Sequence, residues 1–153
     1  MNICICQIIN NEHPYIEEWI EYHHSLGIEK FYLIEDFNSK SHKEVLEKYD
    51  YVELYSLLDI INDEERKQFE DGEYRQRIVY RIFLRLWADK HDYMAFIDVD
   101  EFIEVTKEQL QELLIEGRDY ASICLIWKIM SSEGYIKHPN NGKKYSVLET
   151  YKN

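Results

Sequence analysis

Three carboxylates follow directly on an apolar segment of the chain. Residues 93–97 are typical of a buried strand, and Asp98, Asp100 and Glu101 come immediately after them. In an extended chain, residues two apart point to the same side, so Asp98 and Asp100 would share a face. Two like charges that close repel each other unless a cation lies between them. We therefore predict that Asp98 and Asp100 bind Mg²⁺ or Mn²⁺, which prefer hard oxygen ligands; a solvated strand end is the alternative.

The net charge limits the ligands that such a protein can take. The chain has 153 residues, with 30 acidic and 18 basic ones, and a formal net charge of −12. Nucleic acids and anionic membrane surfaces attract basic proteins, so this balance argues against both as the main partner. An anionic small ligand would need a cation between itself and the carboxylates, which agrees with a metal site.

The length and the apolar segments predict a single domain over residues 1–153. No apolar run approaches the roughly 20 residues of a membrane helix, and the first residues do not resemble a signal peptide. We expect a cytoplasmic protein with no membrane span, whose oligomeric state the sequence leaves open. Cys4, Cys6 and Cys124 are expected to be buried, reduced thiols.

Segments typical of strands alternate with segments typical of helices, which predicts an α/β fold with a mostly parallel sheet. The predicted strands are Ile3–Ile9, Lys30–Asp36, Tyr51–Leu57, Tyr93–Asp100 and Ala121–Ile129, with residues 142–153 as a candidate for one more. The predicted helices are Pro14–Leu26, Ser41–Tyr49, Glu73–Lys90 and one that begins at Thr106 with a capping-box pattern. Residues 62–72 are predicted to form a loop or a short helix.

Polar residues follow three of the predicted strands at the point where each strand ends. Residues 10–12 follow the first strand, Glu35 and Asp36 close the second, and residues 98–101 close the fourth. In parallel α/β sheets, ligands bind at the carboxyl ends of the strands. The three groups should therefore meet at one edge of the sheet.

Nearly the whole chain takes part in a resemblance carried by segments in collinear order. The segments are "NNEHPYIEEWIEYHHSLGIEKFYLIED", a helix that carries Gln76, "DYMAFIDVDEFIEV" and "LIWKIMSSEGYIKHP". Together they resemble the glycosyltransferase family-2-like and family-92 group. The resemblance implies the type A nucleotide-sugar fold, a three-layer α/β/α sandwich. It also implies Mn²⁺- or Mg²⁺-dependent transfer of a sugar, with inversion, from a nucleotide diphosphate sugar (UDP is expected) to a carbohydrate or other hydroxyl acceptor.

The resemblance further implies roles for individual residues. Asp100 would bind the metal on the donor diphosphate, and Asp98 would face the ribose or share that metal. Glu101 would orient the loop. The other implied donor-binding residues are Asn11 and Glu12 after the first strand, Asp36 or its rival Glu35 after the second, and Gln76 with Arg77 or Arg81 on the helix.

Two features depart from the family pattern. Met130 and Ser131 follow Trp127 where the family usually shows an aromatic residue and then Gly-Ser. The chain also ends at Asn153, whereas family members commonly continue into acceptor-binding surface. Donor binding is therefore better supported than turnover, and Glu133 is the candidate for the catalytic base. Two alternatives stay open: a non-catalytic nucleotide- and metal-binding remnant, and a nucleotidyltransferase that would release pyrophosphate.

The remaining conspicuous side chains are assigned to structure rather than to chemistry. Trp19 and Trp87 lie on the apolar faces of their predicted helices and are expected in the core. His23 and His24 are expected to form a stacked or surface pair rather than a metal site.

Overall fold

The protein is built on a four-stranded, all-parallel sheet. A computed structural model describes residues 1–72, 74–129 and 146–150. The strands are β1 (Ile3–Ile9), β2 (Lys30–Glu35), β3 (Val52–Ser56) and β4 (Tyr93–Ala95). Their order in the sheet is β3-β2-β1-β4, and each neighbouring pair is parallel. The carboxyl ends of all four strands therefore lie at one edge, as the alternating pattern predicted.

Helices fill most of the connections between the strands. They are α1 (Ile16–Ser25), α2 (Lys43–Leu46), α3 (Leu57–Ile60), α4 (Asp63–Glu70), α5 (Arg75–Trp87), a 3₁₀ turn (Ala88–Lys90), α6 (Lys107–Glu116) and α7 (Val147–Thr150). The capping box predicted at Thr106 is present, since its hydroxyl accepts from Gln109 N and the Gln109 side chain accepts from Thr106 N. Asn62 and Glu65 form a second capping box, which begins α4 within the segment predicted as loop or short helix.

The alternation of side chains along β1 separates two apolar layers. Ile3, Ile5 and Ile9 pack into a cluster with residues of α1 and α6, whereas Cys4 and Cys6 pack against α5 on the other face. Helices thus cover both faces of the sheet, and the predicted α/β sandwich of three layers is confirmed.

The thiols are only partly as expected. Cys4 and Cys6 are buried and unbonded, with their Sγ atoms 3.9 Å apart. Cys124 is also a free thiol, but it is exposed, so the prediction that it is buried is wrong.

Two of the predicted strands are wrong. Residues 121–129 form no strand, and the side chains of Ile126 and Trp127 are 98% and 75% exposed. An apolar β-branched run becomes a strand only when a neighbouring strand accepts its hydrogen bonds, and the pattern alone cannot show whether one does. In the candidate strand 142–153, residues Val147–Thr150 form a helix, and residues 142–145 and 151–153 lie outside the described part.

The lengths and apolarity of the helices can be compared with the expectation that the chain has no membrane span. Across the described ranges, every helix falls short of the length and apolarity needed to cross a bilayer.

Candidate functional site

The acidic motif forms a tight turn rather than the end of a strand. The β4 ladder stops at Ala95, and Glu101 N donates to Asp98 O at 2.9 Å. The Glu101 carboxylate closes the turn from the other side, because its Oε2 accepts from Asp98 N at 3.0 Å. The prediction that the strand reaches Asp100, with Asp98 and Asp100 extended on one face, is wrong. The turn nevertheless presents both side chains to one cavity.

The cavity lies at the carboxyl ends of β1 and β4 and measures about 290 Å³. Its lining residues are Gln7, Glu12, Tyr15, Asp98, Val99 and Asp100. The volume corresponds to roughly ten water molecules at about 30 Å³ each. Three carboxylates face this space from two separate parts of the chain, so it suits a cation, or an anion that arrives together with one.

Gln7 connects β1 to the acidic turn. Its Nε2 donates to Asp98 Oδ1 at 2.7 Å, and the residue is only 4% exposed. The carboxylate can only accept, so the amide nitrogen must face Asp98 and the carboxamide oxygen must point elsewhere. That oxygen, Oε1, is buried, and within the described part of the chain it has no hydrogen-bond partner.

Glu12 is held by the loop that follows β1. Its carboxylate accepts from the Tyr15 hydroxyl, and its backbone N donates to His42 Nε2 at 3.0 Å. Since Nε2 accepts, Nδ1 carries the proton and donates to Glu35 Oε1 at 3.2 Å. Burial lowers the pKa of His42, which keeps this ring neutral. The ring also stacks on His13, with the centroids 3.8 Å apart.

Asn11 stabilises the same loop rather than lining the cavity. Its φ is +64°, in the left-handed region that asparagine tolerates better than most residues. Its Oδ1 accepts from Lys40 N at 3.0 Å, and its own N donates to Ser39 Oγ at 3.2 Å. Asn11 therefore ties the loop after β1 to the loop after β2.

Glu35 and Asp36, the two rivals after β2, have different partners. Glu35 binds His42 and lines a separate cavity of about 390 Å³ beside β3. The Asp36 side chain is 8% exposed, and its Oδ2 accepts from Arg75 Nη1 at 2.6 Å. The Arg75 guanidinium also lies 5.6 Å from the centroid of the Phe37 ring. The arginine beside Asp36 is therefore Arg75, whereas Arg77 and Arg81 were the ones expected near the donor.

The first turns of α5 place the other helix residues. Arg77 is exposed, and Arg81 donates to Gln68 Oε1 at 2.7 Å. Gln76 Nε2 donates to the Tyr80 hydroxyl at 2.7 Å. Burial raises the pKa of Tyr80, and the charge of Asp98 adds to that shift, so this face of α5 lies toward the acidic turn.

The electrostatics of the turn agree with its crowding by carboxylates. Burial raises the pKa of Glu101, and the charges of Asp98 and Asp100 raise it further, against the opposing hydrogen bond from Asp98 N. In the described residues, no three carboxylate, thiol or imidazole groups stand close enough to hold a metal by themselves. Mg²⁺ and Mn²⁺ commonly use one or two carboxylates, with waters and substrate phosphates as the other ligands. The carboxylates of Asp98 and Asp100 fit that mode of binding.

Helix α1 fixes the segment that leaves the acidic turn. Trp19 Nε1 donates to Glu101 O at 2.9 Å, and the Tyr22 hydroxyl donates to Ile103 O at 2.8 Å. His23 Nε2 accepts from Ile103 N at 3.3 Å. Two of the segments that carried the resemblance, in α1 and around residues 98–103, therefore contact each other directly.

Comparison with protein families settles the class of the chain. The model for glycosyltransferase family 92 matches residues 1–152. The chain belongs to glycosyltransferase family 92. Searches of curated proteins and of solved structures gave no significant match. Membership makes the protein a glycosyltransferase, an enzyme that takes a sugar donor and an acceptor, and its α/β sheet with flanking helices agrees with the type A fold.

Several residues of this family 92 domain were missed by sequence reasoning as parts of the site. The sequence pattern predicts Gln7 only as part of an apolar strand, although a polar residue in a strand buried on both faces is itself a sign of a specific role. Trp19 is in the core as predicted, but its indole N–H also binds the acidic turn. His23 is fully buried, and His24 stacks on Tyr51 at 3.9 Å, so the prediction of a stacked or surface histidine pair is wrong for His23.

The remaining expectations fall on the undescribed part of the domain. Glu133, the candidate base, lies outside the described residues, as do Met130 and Ser131. The described geometry of the family 92 domain therefore concerns the residues at the carboxyl ends of β1, β2 and β4 and at the start of α5.

Proposed function

We propose that this family 92 glycosyltransferase transfers a sugar from a nucleotide diphosphate sugar, with UDP as the nucleotide, to an acceptor hydroxyl with inversion. The observation that carries the proposal is the acidic cavity at the carboxyl ends of β1 and β4, lined by Glu12, Asp98 and Asp100. An acidic cavity accepts a diphosphate only together with a cation. A bound Mn²⁺ or Mg²⁺ would neutralise the leaving diphosphate.

In this proposal, the donor extends from the acidic cavity toward the end of β2. Asp98 and Asp100 hold the cation, and Glu12 closes the cavity from the β1 side. Adjacent strands lie about 4.8 Å apart, so about 10 Å separates β2 from β4 across β1. A nucleoside diphosphate is long enough to place its base near Asp36 while its diphosphate meets the cation.

The residues around β2 and α5 support a nucleotide in different ways. Asp36 is the candidate for the base contact, and its pairing with Arg75 fixes the carboxylate in one orientation. Glu35 and Asn11 stabilise the loops after β1 and β2, because the Glu35 carboxylate accepts from His42 N and Asn11 Oδ1 accepts from Lys40 N. Gln76 and Arg77 begin the helix that borders the donor, and Arg77 is free to approach a phosphate because its side chain is exposed.

The acceptor side of the proposal rests on the chemistry of the transfer. A carboxylate must take the proton from the acceptor hydroxyl as the bond to the anomeric carbon forms. Glu133 stays the candidate for that base, and the cytoplasmic location stays a prediction.

Calorimetric titration of UDP, with and without Mn²⁺, tests the proposal. The wild-type chain should bind UDP only with the metal, and Asp100→Asn should weaken this binding by more than about 100-fold, since it removes a charged metal ligand. Asp89→Asn is the matched control, because Asp89 is exposed and precedes β4 at the opposite edge of the sheet. Equal UDP binding without metal, or unchanged binding by Asp100→Asn, would contradict the proposal.

A second assay separates transfer from nucleotidyl chemistry. Incubation of a UDP-sugar, Mn²⁺ and a carbohydrate acceptor with the enzyme should move the sugar to an acceptor hydroxyl and release UDP, which a coupled assay detects. Release of pyrophosphate from a nucleoside triphosphate and a sugar phosphate would instead show a nucleotidyltransferase.

A further inference from the structure

Gln7 lies at the acidic cavity, and the described residues provide no hydrogen-bond partner for its buried side-chain oxygen, Oε1. Asp98 and Asp100 line the same cavity. A buried carbonyl oxygen without a hydrogen bond destabilises the folded state. Such an atom is expected where a ligand supplies the missing donor.

We propose that Gln7 is a positioning residue of the cation site, which accepts a hydrogen bond from a water molecule on the bound Mg²⁺ or Mn²⁺ through Oε1. This inference rests on the proposed function, because it assumes the cation held by Asp98 and Asp100. It adds a residue from β1 that sequence reasoning did not assign.

The arrangement of Gln7 and Asp98 supports the indirect role. Gln7 Nε2 already binds Asp98 Oδ1 at 2.7 Å, so Oε1, on the same amide, is close to the carboxylate that would meet the ion. Mg²⁺ and Mn²⁺ keep several of their waters, and those waters donate hydrogen bonds outward. The carboxamide then has two roles: Nε2 fixes the orientation of Asp98, and Oε1 accepts a hydrogen bond from a water on the ion.

The neutral charge of Gln7 also fits this position. Glu12, Asp98 and Asp100 already bring three carboxylates to the cavity. A fourth carboxylate in place of Gln7 would meet Asp98 Oδ1 without a proton to donate, and the two groups would repel each other before any cation arrived. The amide provides a hydrogen-bond acceptor for the hydrated ion and adds no negative charge to the cavity.

Titration of Mn²⁺ alone, followed by the electron paramagnetic resonance signal of the free ion, tests the inference. Gln7→Met replaces the amide with an apolar side chain of similar length, and we expect about 10- to 100-fold weaker Mn²⁺ binding, as for other groups behind metal ligands. Gln7→Leu is a second apolar replacement and should weaken Mn²⁺ binding to a similar extent. Gln111→Met is the matched control, since Gln111 is exposed on α6.

Thermal unfolding with and without Mn²⁺ separates a positioning role from a purely structural one. Without metal, Gln7→Met should melt within about 4 °C of the wild type, because it removes an unsatisfied oxygen as well as a hydrogen bond. With saturating Mn²⁺ for the wild type, the stabilisation of Gln7→Met should be clearly smaller.

The outcomes distinguish this inference from the proposed function. If Gln7→Met binds Mn²⁺ as tightly as Gln111→Met while Asp100→Asn loses the metal, the role of Gln7 is wrong and the metal site stands. If the wild type itself binds no Mn²⁺, both are overturned. If Gln7→Met does not fold, Gln7→Leu decides: Mn²⁺ binding as tight as in Gln111→Met would overturn the role of the amide, and binding weaker by about 10-fold or more would support it.

Discussion

Gln7 and His23 are both buried polar side chains, and they differ in how completely they are satisfied. Both ring nitrogens of His23 have partners: Nδ1 lies 2.8 Å from Trp19 O, and Nε2 accepts from Ile103 N. Gln7 has a partner for its nitrogen and none described for its oxygen. A fully satisfied buried group belongs to the scaffold, whereas a half-satisfied one at a cavity indicates where a ligand completes the structure.

The two regions are also connected, because the region around His23 supports the one around Gln7. Trp19, Tyr22 and His23 bind the backbone of residues 101–103, which leaves the acidic turn. Phe102 packs between these side chains, with its ring 5.2 Å from Tyr22 and 5.8 Å from His23. Helix α1 thus sets the position of Asp98 and Asp100 from behind. Changes in α1 should therefore affect stability first and metal binding second, and changes at Gln7 should do the reverse.

The largest expected effect on stability is that of His23→Ala. The change opens a cavity in the core and leaves Ile103 N without its partner, which should cost about 3 kcal/mol of unfolding free energy. Urea unfolding measures it. The neighbouring His24→Ala is the control, since His24 is exposed, and should cost less than about 1 kcal/mol. Equal losses for the two variants would remove the contrast between the regions.

Acid should destabilise the protein through the same histidine. Burial lowers the pKa of His23 from 6.5 to about 4, so the folded state binds its proton later than the unfolded state does. The contribution to stability is therefore complete above about pH 6.5 and is lost as the pH falls toward 4. At pH 4.5 the loss should be about 2 to 3 kcal/mol.

His23→Gln isolates this contribution, because its amide can donate and accept but does not titrate. Unfolding free energies of both chains at pH 7.5 and pH 4.5 give the comparison. The wild type should lose about 2 to 3 kcal/mol more of its unfolding free energy than the variant. An equal loss would mean that folding does not lower the pKa of His23.

A smaller effect is expected where the two regions meet, at the hydrogen bond from Trp19 to Glu101 O. Trp19→Phe keeps most of the apolar ring and removes the N–H, so it should cost about 1 kcal/mol of stability and weaken Mn²⁺ binding severalfold. Trp87→Phe is the control, since Trp87 stacks on Tyr32 on the other face of the sheet. Mn²⁺ titration and urea unfolding of both variants show whether α1 is coupled to the site.

The smallest effect on stability is expected for Gln7→Met. Without metal its unfolding free energy should lie within about 0.5 kcal/mol of the wild type, because the lost hydrogen bond is offset by the removal of a buried unsatisfied oxygen. Urea unfolding at pH 7.5 measures it beside His23→Ala. A loss as large as that of His23→Ala would make Gln7 part of the scaffold.

The sequence predicted the sheet where apolar runs are long and bounded by turn residues, as in β1, β2 and β3. It failed at residues 121–129, because burial of an apolar run depends on a neighbouring strand that local pattern does not reveal. Residue type and position led to Asp98 and Asp100 as candidates, and both line one cavity, but the turn that orients them depends on where the β4 ladder stops. Arg75 was missed in favour of Arg77, since the exact start of a helix is the least predictable feature of an element.

The contacts that close the acidic cavity join distant parts of the chain, and this bears on the order of folding. Gln7 and Asp98 are 91 residues apart, and Trp19 and Glu101 are 82 apart. β1 to β3 are joined by much shorter crossovers, which cost less chain entropy to close. The β1–β2–β3 unit should thus assemble early, and the carboxylates of residues 98–101 should reach it last. They remain apart from Glu12, in solvent, until the surface that orients them has formed.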